Sequence, residues 1–125
     1  MILDTNALSA FIDGDAVLGA ILRTSGRAAI PVIVLGEFRY GIANSRHRST
    51  YESWLQEHLT AFDVLSVTAE TTLAYASIRV QLKQQGRPIP ANDVWIAALA
   101  VEHDMPVMTR DQHFESVAGI KRVSW

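Results

Sequence analysis

Four acidic residues stand where ordinary surface charge does not explain them. Asp4 ends the apolar opening in "ILDTN", and Glu37 lies inside the largely apolar "LGEFRYG". Asp93 opens a very apolar stretch in "PANDVW", and Asp111 follows a β-like pair in "VMTRD". Each has a local alternative. Asp4 suits the N-cap of a helix beginning near Asn6, Asn92 or Asp93 suits the cap of the next apolar helix, and Asp111 suits a turn. Glu37 is the hardest to dismiss, because an unpaired buried carboxylate is strongly unfavourable. Taken together, carboxylates gathered in one place repel one another unless a cation binds. Hard oxygen donors without His or Cys suit Mg²⁺ or Mn²⁺. Such a site clamps a phosphate, lowers the pKa of a bound water and stabilises the leaving oxygen. The residue types therefore support metal-assisted phosphodiester hydrolysis, although their spacing alone does not single it out.

For the four acids to meet, remote segments must reach one edge. Residues 1–3, 28–30 (closed by Pro31), 64–67, 106–109 and 120–125 read as short strands. Helices are expected at 7–12, at 16–24 with Asp15 as N-cap, and at 32–44 despite its strand-like Val-Ile-Val start. Ser49 and Glu52 form a capping box for a helix whose face carries Trp54, Leu55, His58, Leu59 and Phe62. Residues 68–85 form a long helix with Leu73, Ala76 and Val80 inward and Gly86 as its stop. Residues 87–90 are a stiff loop, and 91–104 are a very apolar helix. Strands alternating with helices give an α/β sandwich with a mainly parallel central sheet. Ligands of such sheets bind beyond the carboxyl ends of the strands, where Asp4 and Asp111 fall.

The chain has 125 residues, 49% of them apolar and 19% charged, which fits one globular domain over 1–125 and excludes a disordered chain. With no cysteine, disulfides and zinc–thiolate sites are excluded, and a reducing compartment is expected. No basic segment precedes an apolar run at the start, and no run approaches the ~20 residues of a membrane span. The expectation is a soluble cytoplasmic protein without a membrane partner. The net charge of −2 does not exclude a phosphodiester substrate. Setting four site acids aside from thirteen leaves nine against eleven Lys and Arg, and a bound cation neutralises the site itself.

"ILDTNALSAFIDGD", "LGEFRYGI", "PIPANDVWIAALAVEHDMPVMTRDQHF" and the terminal "VSW" together resemble PIN-domain proteins, and more narrowly the VapC toxins of bacterial toxin–antitoxin pairs. The likeness runs over essentially the whole chain. "DTN" alone is weak, but the ordered set of DTN, helical Glu, PxND and TRDxxF is specific. The resemblance implies a single PIN domain, a three-layer α/β/α sandwich with a mainly parallel sheet. It implies an Mg²⁺- or Mn²⁺-dependent ribonuclease cleaving structured RNA, often tRNA. A VapB-like antitoxin that blocks the site in a hetero-oligomer, and a homodimer of the chain itself, are also implied. By position, Asp4, Glu37, Asp93 and Asp111 match the family's acidic quartet, and Thr5, Asn6, Asn92 and Thr109 its supporting polar residues. Asp4 and Asp93 are the expected direct metal ligands, with Glu37 and Asp111 joining directly or through water. An activated water would attack phosphorus in line, leaving 5′-phosphate and 3′-hydroxyl ends.

Other residues admit plainer roles. Glu115 faces the same site if its segment is helical, but a solvated acid is favoured. His113 is expected to be a surface or packing residue rather than a general base. Arg46, His47 and Arg48, with Arg39, either steer RNA phosphates or form a solvated loop. Arg87 and Arg110 flank the acidic motifs and are candidate RNA contacts. Phe38, Tyr40, Tyr51 and Trp54 read mainly as core, and the resemblance adds a groove for the antitoxin. Two rivals remain. A receiver-type phosphoacceptor is poorly served, since Asp4 is unpaired, Ser66 and Val67 end the middle strand, and Lys121 alone fits. A non-catalytic metal- or RNA-binding module keeps the same acids.

Overall fold

In the computed structural model, which describes residues 1–125, five parallel strands form one sheet in the order β3-β2-β1-β4-β5. The strands are β1 (Ile2–Leu3), β2 (Ala29–Pro31), β3 (Asp63–Leu65), β4 (Val107–Met108) and β5 (Arg122–Val123). Ile2 pairs with Ala29 on one side and Val107 on the other, and Leu3 pairs with Met108. The central strand is thus the first to be made, and it is fully buried. Covering both faces of a parallel sheet requires helices on both sides. These are α1 (Thr5–Ile12), α2 (Ala16–Thr24), α3 (Val32–Ile42), α4 (Arg48–His58), α5 (Thr71–Gln84) and α6 (Ala91–His103). The result is the expected three-layer α/β/α sandwich. No single helix is long and apolar enough to cross a membrane.

Helix α6 is the most deeply set. Ile96, Ala97, Ala98, Leu99 and Ala100 are all essentially inaccessible, as a helix apolar on most of its circumference must be. It packs on α5 and also meets α3.

Several expectations need correction. Helix α1 begins at Thr5, directly after the strand residue Leu3 and Asp4, with no loop between. The strand-like Val32-Ile33-Val34 is, as expected, the first turn of a helix, α3, launched by Pro31. There is no capping box at Ser49. Helix α4 already starts at Arg48, His47 occupies the cap position, and no side chain caps it. Phe62 lies beyond the helix, after a 3₁₀ turn over Leu59–Ala61. In α5, Leu73, Ala76 and Val80 face solvent, and Thr71, Ile78 and Leu82 face the core. The helix is apolar on two faces, so periodicity alone does not say which one α6 covers. Gly86 ends α5 as expected. At φ +65° it lets its own N–H reach Lys83 O and the Arg87 N–H reach Leu82 O, a closure that a side-chain-bearing residue makes only with strain.

Candidate active site

The carboxyl ends of β1 and β4 carry the site. The Asp4 N–H donates to Met108 O at 3.1 Å, and the Thr109 N–H donates to Val123 O at 2.9 Å, so both residues continue the sheet by one step. Their side chains meet directly. Thr109 Oγ1 donates to Asp4 Oδ2 at 2.7 Å, wholly inside the protein. Asn6 Nδ2 donates to the same Asp4 oxygen and to Thr109 Oγ1, both at 3.2 Å. The other Asp4 oxygen, Oδ1, accepts from the Thr5 N–H at 2.8 Å. Asp4 is therefore both the N-cap of α1 and a buried site carboxylate, and the two readings of it do not compete.

The network extends from this pair. Thr109 Oγ1 also accepts from the Asp111 N–H at 2.9 Å, and Asn6 Oδ1 accepts from the Arg110 N–H at 3.1 Å, which fixes the turn after β4. Thr5 Oγ1 donates to Glu37 Oε1 at 3.2 Å, tying α3 to α1 at the same edge. Glu37 is partly buried, and Thr5 supplies the partner that its apolar flanks call for.

Asp93 is not a helix cap. Pro90 holds that position, and Asp93 sits in the first turn of α6, buried, its carboxylate turned toward the β4 end. There it meets a residue that sequence reasoning placed elsewhere. His113 Nδ1 lies 2.9 Å from Asp93 Oδ2 and 3.1 Å from Asp111 Oδ1. Both neighbours accept only, so the ring presents an N–H to them. Asp111 itself caps the 3₁₀ turn Gln112–Ser116 by accepting from the His113 N–H at 2.9 Å. The cause is the next residue: Phe114 is driven into the core, and the tight turn that buries it swings His113 back over the carboxylates. The one local signal was the position two residues after an acid that caps its own turn.

Burial pushes the Asp4 carboxyl above its ordinary pKa, against the opposing pull of its bonds from Thr109 and Thr5. Burial raises Asp93 in the same way, with the charges of Asp4 and Asp111 adding to it and the His113 bond offsetting part. His113 is raised, first by its bond to Asp93, against the opposing effect of burial, with the charges of Asp111, Asp93 and Asp4 adding to the rise. Burial is thus the main cause at both carboxyls, and the neighbouring acids act in the same direction at all three groups. Asp93, Asp111 and His113 each offer a ligand atom, and these atoms lie within 4.8 Å of one another. Two carboxylates and an imidazole, running from buried Asp93 through half-buried Asp111 to exposed His113, are a donor set that fits a divalent cation.

The remaining candidates lie outside this network. Asn92 is exposed at the second residue of α6. Arg87 is exposed on the loop before that helix. Arg110 turns its guanidinium away: it lies 4.4 Å over the Trp125 ring, donates to Trp125 O at 3.4 Å and stands 3.9 Å from Asp15. Glu115 pairs with Arg122 at 2.6 Å, so its segment, though helical, directs it along β5. Arg46, His47 and Arg48 are exposed, and Arg39 contacts Glu52 at 3.5 Å. Tyr51 and Trp54 are edge-on to Phe38 and Phe11 and help line a cleft of about 730 Å³ with Ile12 and Asp13, whereas Tyr40 is 87% exposed and belongs to no core. The receiver alternative loses its geometry, because β3 is an edge strand.

Comparison with known proteins agrees with this fold. A family model described as "PIN domain" matches residues 1–120. Ribonuclease VapC5 of Mycobacterium tuberculosis is 30% identical, over 98% of this chain and 90% of that protein. The tRNA(fMet)-specific endonuclease VapC of Shigella flexneri is 28% identical, over 80% of this chain and 76% of its own. Among solved structures, VapBC2 of Rickettsia felis, bound to a DNA fragment from its promoter, superposes with a TM-score of 0.87 and 26% identity, covering 99% of this chain and 97% of the other.

Proposed function

Because the chain belongs to the PIN-domain family, in its VapC branch, we propose that it is a metal-dependent endoribonuclease, the toxin of a toxin–antitoxin pair. The observation that carries this reading is the joining of Asp4, Glu37, Asp93 and Asp111 at one sheet edge through Thr5, Asn6, Thr109 and His113. Asp4, Asp93 and Asp111 would hold Mg²⁺ or Mn²⁺, with Glu37 close by through Thr5. The cation supplies charge neutralisation at phosphorus and an acidified water. The chain's own part is positional. Thr109 and Asn6 leave Asp4 little rotational freedom, and α6 carries Asp93 on a rigid buried element rather than a loop.

The proposed substrate is tRNA or another structured RNA, on the precedent of the Shigella flexneri relative. The proposed partner is a VapB-like antitoxin that covers the acidic edge and the Tyr51–Trp54 cleft, with the free toxin a cytoplasmic homodimer. The test compares the protein with Asp93→Asn on total tRNA and rRNA in Mg²⁺, Mn²⁺ or EDTA. Cleavage by the parent alone, abolished by EDTA, is expected. Equal cleavage by both proteins, or cleavage that survives EDTA, overturns the reading in favour of a non-catalytic module.

A further inference from the structure

His113 Nδ1 stands 2.9 Å from Asp93 Oδ2 and 3.1 Å from Asp111 Oδ1, and the function proposed above gives it no chemical part. The ring is anchored from two sides. Its own backbone N–H donates to Asp111 Oδ1, and the neighbouring Phe114 is locked in the core. Across from it, Asp93 is buried in the first turn of α6, a rigid helix. A solvated surface histidine has neither anchor.

The two distances suit more than a hydrogen bond. An octahedral cation holding its ligands at about 2.1 Å sets neighbouring ligand atoms about 3 Å apart. Nδ1 has that spacing from both carboxylates, so one ring position serves the metal-free and the metal-bound protein. A neutral imidazole carries its proton on either nitrogen. Without metal, Nδ1 bears it and faces two acceptors. When a cation enters between the carboxylates, that proton leaves for solvent and Nε2 takes one up. The ring keeps its charge and presents a lone pair where the N–H was. Its side chain is 49% exposed, which gives the exchange access to water.

A nitrogen donor changes which ion the centre prefers. Carboxylates suit Mg²⁺ and Mn²⁺ alike, but Mg²⁺ is hard and gives up water reluctantly, whereas imidazole suits first-row transition ions. The other three histidines stand elsewhere: His47 is exposed before α4, His58 stacks on Trp54, and His103 lies beside Glu102.

We propose that His113 is a ligand of the metal centre, joining Asp93 and Asp111 through Nδ1, and that its nitrogen makes the centre select Mn²⁺ over Mg²⁺. The proposal rests on the metal-dependent reading above and adds to it the choice of ion.

The full chain loaded with one equivalent of Mn²⁺ is examined by pulsed electron paramagnetic resonance. Modulation from one directly bound histidine nitrogen is expected, and labelling histidine with ¹⁵N should convert its ¹⁴N pattern to that of ¹⁵N. His113→Gln, which offers an oxygen instead, should abolish the signal at an unchanged circular dichroism spectrum, whereas His47→Gln should keep it. By calorimetry, the ratio of the Mg²⁺ Kd to the Mn²⁺ Kd should fall about tenfold in His113→Gln. The labelled parent decides the matter even if the variant fails to fold. Bound Mn²⁺ without a histidine nitrogen in the parent overturns the proposal, as does a ratio that His113→Gln leaves unchanged. Cleavage is scored separately. Metal-dependent cleavage without the nitrogen signal removes His113 from the centre and leaves the nuclease reading standing, whereas a parent that binds neither ion overturns both.

Discussion

Thr109 is fully buried, and its hydroxyl serves three neighbours, donating to Asp4 and accepting from Asn6 and Asp111. Thr109→Val keeps the shape and removes the hydroxyl, leaving the buried Asp4 oxygen with Asn6 alone. Urea unfolding should show a loss of about 1–3 kcal/mol, and Thr109→Ser should recover most of it. Protons offer a second test. Asp4, Asp93 and His113 all have raised pKa values, so at each the folded state binds its proton more tightly than the unfolded chain. Each contribution is complete below the unfolded pKa, about 4 for the carboxyls and about 6.5 for the imidazole, and is lost as pH climbs through the folded value. Asp15, lowered chiefly by the Leu18 amide, acts oppositely and loses its contribution in acid. Thermal melts in EDTA should therefore fall from mildly acidic to alkaline pH, and Mg²⁺ should raise the melting temperature most at the alkaline end. A melting temperature that rises across that range would contradict the assignment of the shifts. The four acids were legible in the sequence because type and apolar flanks mark them. His113 was not, because only the burial of Phe114 brings it to them.

Helix α6 is where packing and site positioning coincide, since the helix that presents Asp93 also buries Leu99 completely. Leu99→Ala should cost about 2–5 kcal/mol in denaturant unfolding, through lost burial and the cavity left behind. Gly86→Ala should cost about 1 kcal/mol, because its positive φ must be kept for α5 to close and lead into α6. Sequence reading worked best where one residue type decides. Asp15, accepting from Val17 and Leu18, fixed α2 at Ala16–Thr24 as expected. It worked least where two arrangements satisfy the same pattern. Ser49 and Glu52 have the spacing of a capping box, yet the helix had already begun at Arg48. Leu73, Ala76 and Val80 have core periodicity, yet α6 claimed the opposite face of α5.

The two ends of the chain are held together at whole-molecule scale. Trp125 stacks under Arg110, and its Nε1–H donates to Asp15 Oδ2 at 3.2 Å, so the last residue braces the cap of the second helix. Trp125→Ala should lower stability by about 1 kcal/mol in a melt while leaving the acidic network intact. The strand order has a temporal meaning as well. The middle strand of the sheet leaves the ribosome first, and it waits for β4, more than a hundred residues later, to fill its second edge. Asp4 waits equally long for the Thr109 hydroxyl. Pairing so remote in sequence makes for slow folding. A chain truncated anywhere before β4 holds separated carboxylates and no assembled centre. On the proposed reading, a copy cut short before β4 would be harmless, because the acidic centre is joined only by residues that follow that strand.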